Sequence, residues 1–432
     1  MKILTYFKQA WQLLRQNKLF STIYIVGTAL AIASTTIFAI IYYVRLAPVY
    51  PEYEKDRMLT FSTLSYQTPG YSYPRFSSGV SNKAMTECFH NLENAELTSA
   101  YIDERNLSPV FAAGRKSSFE IVKRLADPAY FKIFNYEFLA GRPFSQEEFD
   151  SGSPKIVISD QVANKLGLTP DKAIGQSVNI GFTEFEICGV YREGSVINNL
   201  SYAQAIAPYT ISHYYNFGYP GCDVAGTLSV LILSDDEEGV RSEINEYFRK
   251  YSSAEMEGRK INTFNQPRTA LKGAFSLNPE FDVDLTEIIK KNFLILLTLL
   301  IVPALNLSGS IAGRMDSRMG ELGIRKSFGA TRSSLLSQVL WENLWLTVFG
   351  GLLGLALTCI LLSSDMTSAF TAIVATSNRL NDPSLIVRFT PDMLFTPAIF
   401  GLTFLFCVML NIFSALIPAY SALRRPIVKS LK

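Results

Sequence analysis

The stretch Arg314–Glu342, RMDSRMGELGIRKSFGATRSSLLSQVLWE, decides how the rest of this chain is read. It lies between two long apolar segments. Before the second one begins it carries five basic residues, Arg314, Arg318, Arg325, Lys326 and Arg332, against the acids Asp316 and Glu321. A short loop rich in Lys and Arg between apolar spans stays on the cytoplasmic side. Its middle predicts helix, turn, helix. Glu321–Phe328 consists of helix formers with Leu322, Ile324 and Phe328 as the apolar members, Gly329 supplies a C-terminal stop, and Thr331 or Ser333 can cap the next helix. The expectation is a compact, basic, partly apolar knob. Composition alone favours a plainer reading, a topogenic loop whose charges only fix orientation.

Outward from that loop, the 432-residue chain is 48% apolar and only 18% charged, with the apolar excess gathered in four uncharged runs: Leu19–Val44, Asn292–Gly313, Asn343–Ser364 and Met393–Leu423. Each exceeds the roughly 20 helical residues that cross a hydrocarbon core of about 30 Å. The predicted class is therefore a membrane protein with four transmembrane α-helices and a large α+β extracytoplasmic domain between the first two. The expected boundaries are a cytoplasmic amphipathic helix at 1–18, spans at 19–44, 288–313, 335–364 and 393–423, the outer domain at 45–287, the cytoplasmic loop at 314–334, an external loop at 365–392 and a cytoplasmic tail at 424–432.

The net charge of +2 conceals a separation. Met1–Lys18 and Arg424–Lys432 each hold four basic residues and no acid, whereas Leu46–Ile289 holds 22 basic and 32 acidic residues. Lys and Arg near helix ends place both termini and the central loop inside, and the large segment outside. Ile3, Phe7, Ala10, Trp11 and Leu14 share one helical face of the N-terminal segment, which suits a helix lying on the inner membrane surface. Ala29-Leu30-Ala31 would suit a cleaved signal peptide, but an uncharged stretch reaching Val44 far exceeds an h-region of about 7–15 residues, so an uncleaved anchor is expected.

The outer segment mixes periods of two and 3.6. Phe119–Arg124, Lys155–Ser159, Phe185–Tyr191 and Thr227–Leu233 read as strands, while Ser81–Leu92 and Asp160–Leu166 read as helices. Ser234 and Glu237 have the spacing of a capping box before a helix whose Val240, Ile244, Tyr247, Phe248 and Tyr251 share a face. Gly141, Gly167 and Gly175 mark turns that call for positive φ. Cys88, Cys188 and Cys222 are external and odd in number, with a Cys188–Cys222 pair as one possibility, while Cys359 and Cys407 lie in spans as packing residues.

Within the spans, Pro303 interrupts the second, and Gly350, Gly351 and Gly354 give the third a small-residue face for close helix approach, in the same chain or across a dimer. Glu342 sits two to three turns into the third. It is either a proton-handling or substrate-contacting acid, or an inner-interface acid paired with a base such as Arg332 or Arg15.

No G-x-x-x-x-G-K-[ST] run occurs, so no ATP hydrolysis is expected of this polypeptide. His90 and His213 stand far apart without companion ligands, so neither a metal nor another cofactor is expected. No catalytic residue and no nucleic-acid partner are expected either.

The run E-x-G-I-R-K-S-x-G-A-T-R followed by Q-x-L-x-E resembles the coupling segment of the MacB/FtsX superfamily of ABC-transporter permeases. Tyr130-Phe131, Gly141-Arg142 with Phe144, Ile156–Gly167, Ile174-Gly175 and Ile187–Val190 follow the order of motifs in the MacB-type periplasmic core domain, and Pro418-Ala419 with Arg425-Pro426 resembles the family's terminus. Asn198–Pro279 departs most from the family pattern.

The resemblance implies an inserted lobe at about 128–195 on a larger lobe, and an FtsX-like three-helix module. It implies a permease in a bacterial inner membrane, working as a homodimer or heterodimer with separately encoded cytosolic ATPase subunits, which alone bind ATP. Those subunits would press on Gly320, Glu321, Leu322, Gly323, Ile324, Arg325, Lys326, Ser327, Phe328, Gly329 and Ala330. It also implies that Glu342 is not a catalytic acid. Export of a peptide, antibiotic, toxin or lipoprotein, with a periplasmic adaptor, is the leading role. The alternatives are a non-transporting mechanotransmitter that activates a cell-wall hydrolase, and a membrane-tethered receptor or enzyme without an ATPase partner.

Overall fold

The computed structural model describes residues 18–67, 76–104, 107–111, 118–219, 222–255, 260–275, 280, 284–317, 319–362 and 397–424. The N-terminal amphipathic helix before Lys18, the external loop at 365–392 and the tail beyond Arg424 lie outside the described residues. The described chain divides into a helical unit, up to Tyr43 and from Asp284 onward, and an α+β unit within Val44–Val283.

In the α+β unit, alternating and fully apolar runs build a mixed sheet of twelve strands among the described residues. From one edge they are Arg268–Thr269, Met58–Phe61, Ser229–Leu233, Leu97–Asp103, Lys123–Ala126, Ala205–Pro208, Lys155–Ser159, Thr183–Tyr191, Ser177–Ile180, Ser108–Phe111 and Ser118–Ile121, with Phe138–Gly141 joining beside Thr183–Tyr191. Two pairings are parallel, Thr183–Tyr191 with Lys155–Ser159 and Ala205–Pro208 with Lys123–Ala126. Crossovers therefore knit distant segments together, while most other pairs are antiparallel. A four-stranded sheet lies apart, ordered Ala225–Gly226, Phe76–Val80, Leu64–Gln67, Lys260–Asn262.

Four sequence expectations need correction. Phe119–Arg124 is two strands, because Val122 leaves the ladder: its N–H donates to Gln204 Oε1 (3.2 Å) and its carbonyl accepts from Gln204 N (2.8 Å). That single residue joins the far end of the strand path back to its middle. Thr227–Leu233 is a strand only from Ser229. The helix after it begins at Glu237, so Asp236 rather than Ser234 is its cap: Gly239 N donates to Asp236 Oδ1 (2.9 Å), while Ser234 Oγ accepts from Asp236 N and donates to Asn94 O. Ser81–Leu92 also breaks after Glu87 into a second, 3-10 turn at Phe89–Asn91.

The turn glycines do what their positions call for. Gly141, Gly167 and Gly175 adopt φ of +70°, +76° and +77°, a region costly for any residue with a Cβ. At Gly141 a Cβ would also strike the Cys188 carbonyl and Ile174. The aromatics are core: Tyr130 and Phe134 are fully buried, and Phe131 packs edge-on to Phe144 at 5.1 Å. The short helix carrying Tyr130 is held by Asp127, which accepts from Ser99 Oγ (2.7 Å), Ala100 N (2.7 Å) and Tyr130 N (3.0 Å). Burial pushes this carboxyl up to about 6 against the pull of those donors. No disulfide joins any of the five cysteines among the described residues.

In the helical unit, four long helices run Lys18–Leu46, Leu285–Ser317, Arg332–Leu362 and Pro397–Arg424, the second continuing through Pro303 and the last through Pro418. Among the described residues, three stretches are long and apolar enough to cross a membrane: Ser21–Leu46, Arg332–Leu362 and Pro397–Ser421.

Candidate functional site

Two places stand out, the basic loop of the helical unit and a buried polar junction in the α+β unit. In the loop, Met319–Ser327 forms a nine-residue helix. It stops at Gly329, whose φ of +88° turns the chain while Ala330 N donates back to Arg325 O (3.0 Å). Thr331 rather than Ser333 caps the next helix, its Oγ1 accepting from Ser334 N (3.3 Å). Gly320, Glu321, Ser327 and Gly329 are exposed, Ala330 is half-buried, and Ile324 and Phe328 are exposed by 52% and 88%. The side chains of Leu322 and Lys326 and the surroundings of Gly323 lie outside the described residues. Two large apolar side chains are thus presented on and just past one short, stopped helix, a geometry suited to gripping by another protein.

Arg325 is fixed on both sides. One guanidinium nitrogen donates to Glu321 Oε1 (2.7 Å), one turn away, and the other to Gln338 Oε1 on the next helix (2.8 Å). Gln338 in turn donates through Nε2 to Glu342 Oε1 (3.0 Å), and Gln338 and Glu342 are 8% and 2% exposed. Glu342 therefore finds a hydrogen-bond partner in Gln338, which sequence reasoning passed over. Arg15 lies outside the described residues.

The small-residue face of the third long helix meets the first within the chain. A Cβ at Gly350 would lie 2.8 Å from Thr28 Cβ, and one at Gly354 would lie 2.7 Å from the Ala29 carbonyl, while one at Gly351 would enter the Phe404 ring. Hydrogen bonds reinforce the contact. Thr347 Oγ1 donates to Asn343 O (2.9 Å), leaving its lone pairs to Tyr24 OH (3.0 Å) and Asn411 Nδ2 (3.4 Å). Gly354→Val should overpack this contact by about 1–3 kcal/mol and lower the thermal midpoint of the purified protein. Gly401→Ala, where a Cβ meets nothing within 4 Å, should leave it unchanged.

The junction in the α+β unit forms where the first long helix ends. Lys55, 6% exposed, pairs with Glu52, 1% exposed, at 2.7 Å. Its Nζ also donates to the Arg45 carbonyl (3.1 Å) at the end of that helix and to Asn198 Oδ1 (3.4 Å). Glu52 Oε1 accepts from Ser201 N (3.0 Å) and Ser201 Oγ (2.8 Å). The Arg45 guanidinium lies over the Phe275 ring at 5.2 Å, and Phe275 ends the Ala270–Phe275 helix shortly before the second long helix. One buried ion pair thus ties the exit of the first helix to the 198–201 loop, and its neighbour Arg45 reaches the segment that leads back. Sequence reading missed it because a Glu and a Lys three residues apart look like solvated loop charges.

Long apolar helices, a basic stopped knob between two of them and a large α+β unit are the make-up of a membrane permease. Two sequence families match: the MacB-like periplasmic core domain over residues 21–246 and the FtsX-like permease C-terminal over residues 293–427. The chain belongs to this MacB/FtsX-like family of ABC-transporter permeases, and both matched regions are permease domains.

Among curated relatives, it is 26% identical over 247 residues to the pyoverdine export ATP-binding/permease protein PvdT of Pseudomonas savastanoi, covering 55% of this chain and 35% of the relative. It is 23% identical over 296 residues to the macrolide export ATP-binding/permease protein MacB of a Shewanella species, covering 67% and 42%. It is 23% identical over 228 residues to the ABC transporter permease YknZ of Bacillus subtilis, covering 53% and 54%. The matches thus span about a third to about half the length of these relatives. Among solved structures, the extracellular domain of YknZ from Gram-positive bacteria aligns with 17% identity and a TM-score of 0.33, covering 47% of this chain and 99% of that domain. The periplasmic region of MacB from Actinobacillus actinomycetemcomitans aligns with 12% identity and a TM-score of 0.35, covering 48% and 89%.

Proposed function

We propose that this chain is the permease subunit of an ABC exporter of a peptide, antibiotic, toxin or lipoprotein. It spans a bacterial inner membrane four times with both termini inside, and pairs with a second permease copy or a related chain. A separate ATPase subunit grips Gly320–Ala330, and its closure on ATP drives the long helices and, through them, the outer domain. The observation that carries this reading is the exposed Ile324 on a short helix, with exposed Phe328 just past its end, between two long apolar helices. An exposed apolar pair of this kind in a loop of basic sequence favours a protein partner over a merely topogenic loop. The uncharged run 292–313 inside the helix Leu285–Ser317 supports a fourth span. The names of the relatives PvdT and MacB, both export proteins, support export over activation of a cell-wall hydrolase.

Affinity purification of the intact complex from membranes tests this. The expected result is an ATPase with a phosphate-cradling loop together with a periplasmic adaptor. Recovery of a hydrolase instead of an adaptor would favour the regulatory role, and recovery of no ATPase would overturn the permease reading.

A further inference from the structure

The chain Arg325–Gln338–Glu342 is arranged in a way that packing alone does not require. Gln338 can bridge its two neighbours in one orientation only. Its carbonyl accepts a hydrogen bond from the guanidinium at 2.8 Å and its NH2 donates one to the carboxylate at 3.0 Å. The cation at one end is additionally held by Glu321 at 2.7 Å. The guanidinium fork is rigid and planar, so bonds from two of its nitrogens to groups on two helices fix the angle of the short helix about its own axis. Glu342 lies about 15 Å along the helix from Arg332, at ~1.5 Å per residue, and is 2% exposed. A carboxylate so placed needs compensation, and the amide relays it from a base at the helix end.

We propose that Gln338 is a positioning residue, the middle member of a cation–amide–carboxylate strut that locks the Met319–Ser327 helix to the third long helix. The strut holds Ile324 and Phe328 at a fixed angle, and a push on them is passed into the third helix rather than absorbed by rotation of the knob. This deepens the coupling reading above and rests on it for its purpose. The strut itself exists or fails without any ATPase present.

The test is hydrogen–deuterium exchange on the full chain alone in lipid nanodiscs, so that loss of the strut and loss of ATPase docking are read separately. Gln338→Leu and Glu342→Leu should each raise amide exchange in Met319–Ser327 about tenfold. Glu342→Gln should exchange like the unaltered chain, since its amide oxygen still accepts from Gln338. The thermal midpoint of the whole protein should move little in Glu342→Gln. Unchanged exchange in Gln338→Leu would overturn the proposal. So would Glu342→Gln behaving like Glu342→Leu, or a loss of protection spread over all the long helices.

Discussion

Lys55→Met should lower the thermal midpoint of the purified protein by roughly 10 °C, the shift expected from about 3–5 kcal/mol lost in a domain of this size. Methionine fills most of the volume that the lysine stem occupied, so the loss comes from charge and hydrogen bonding, not from a cavity. It strands Glu52 at 1% exposure, with the hydrogen bonds from Ser201 N and Oγ left to hold it. It also leaves the Arg45 carbonyl and Asn198 Oδ1 without the donor that joined them. Breaking one side of a buried pair is worse than removing both sides. The double variant Glu52→Leu with Lys55→Met should therefore recover part of the loss, the rest being the orphaned Ser201 amide. Differential scanning calorimetry of the two variants beside the unaltered protein checks this, and Lys55→Met within about 2 °C of the unaltered protein would refute it. Because the pair fastens the end of the first long helix, the same variant should also reduce whatever ATP-driven activity the complex shows outside the membrane.

Arg325→Glu combined with Lys326→Glu should reduce recovery of the ATPase subunit on the permease at least tenfold, with ATP-dependent activity falling alongside. The exchange reverses two of the five loop cations and places a new carboxylate one turn from Glu321, a repulsive spacing on a helix. It also removes the donor to Gln338. Phe328→Asp separates docking from the strut. Phe328 is 88% exposed and lies beyond the helix end, so its loss should weaken ATPase recovery while exchange in Met319–Ser327 stays slow. Quantitative co-purification reads both, and unchanged recovery and hydrolysis in the charge-reversed protein would remove the case for docking at the knob.

Much of this architecture is local and was therefore legible in the sequence. The helix stop at Gly329, the cap at Thr331, the positive-φ turns at Gly141, Gly167 and Gly175, and the strands Lys155–Ser159 and Thr183–Tyr191 follow from residues within a few positions of one another. What stayed hidden depends on partners far along the chain. Val122 splits a strand only because Gln204, 82 residues on, takes its hydrogen bond. Asp236 displaces Ser234 as the helix cap because Ser234 Oγ is engaged with Asn94, 140 residues back. Lys55 and Glu52 look solvated until Asn198 and Ser201 fold over them. Gln338 stands four residues before Glu342 in the Q-x-L-x-E run, but its bond to Arg325 across the Gly329 turn does not show in that spacing. The resemblance in the coupling segment singles out this loop, whereas the polar residues that hold it in place are visible only in the geometry.

The claim on which all of this depends is that the basic knob faces the cytoplasm and is held there by a second protein. The most direct measurement replaces the five native cysteines, introduces Phe328→Cys, and treats sealed spheroplasts with a membrane-impermeant thiol reagent. The account predicts no labelling until the membrane is opened, then labelling that bound ATPase subunit suppresses. Labelling from outside the sealed membrane, or labelling after opening that the ATPase subunit leaves untouched, would contradict it.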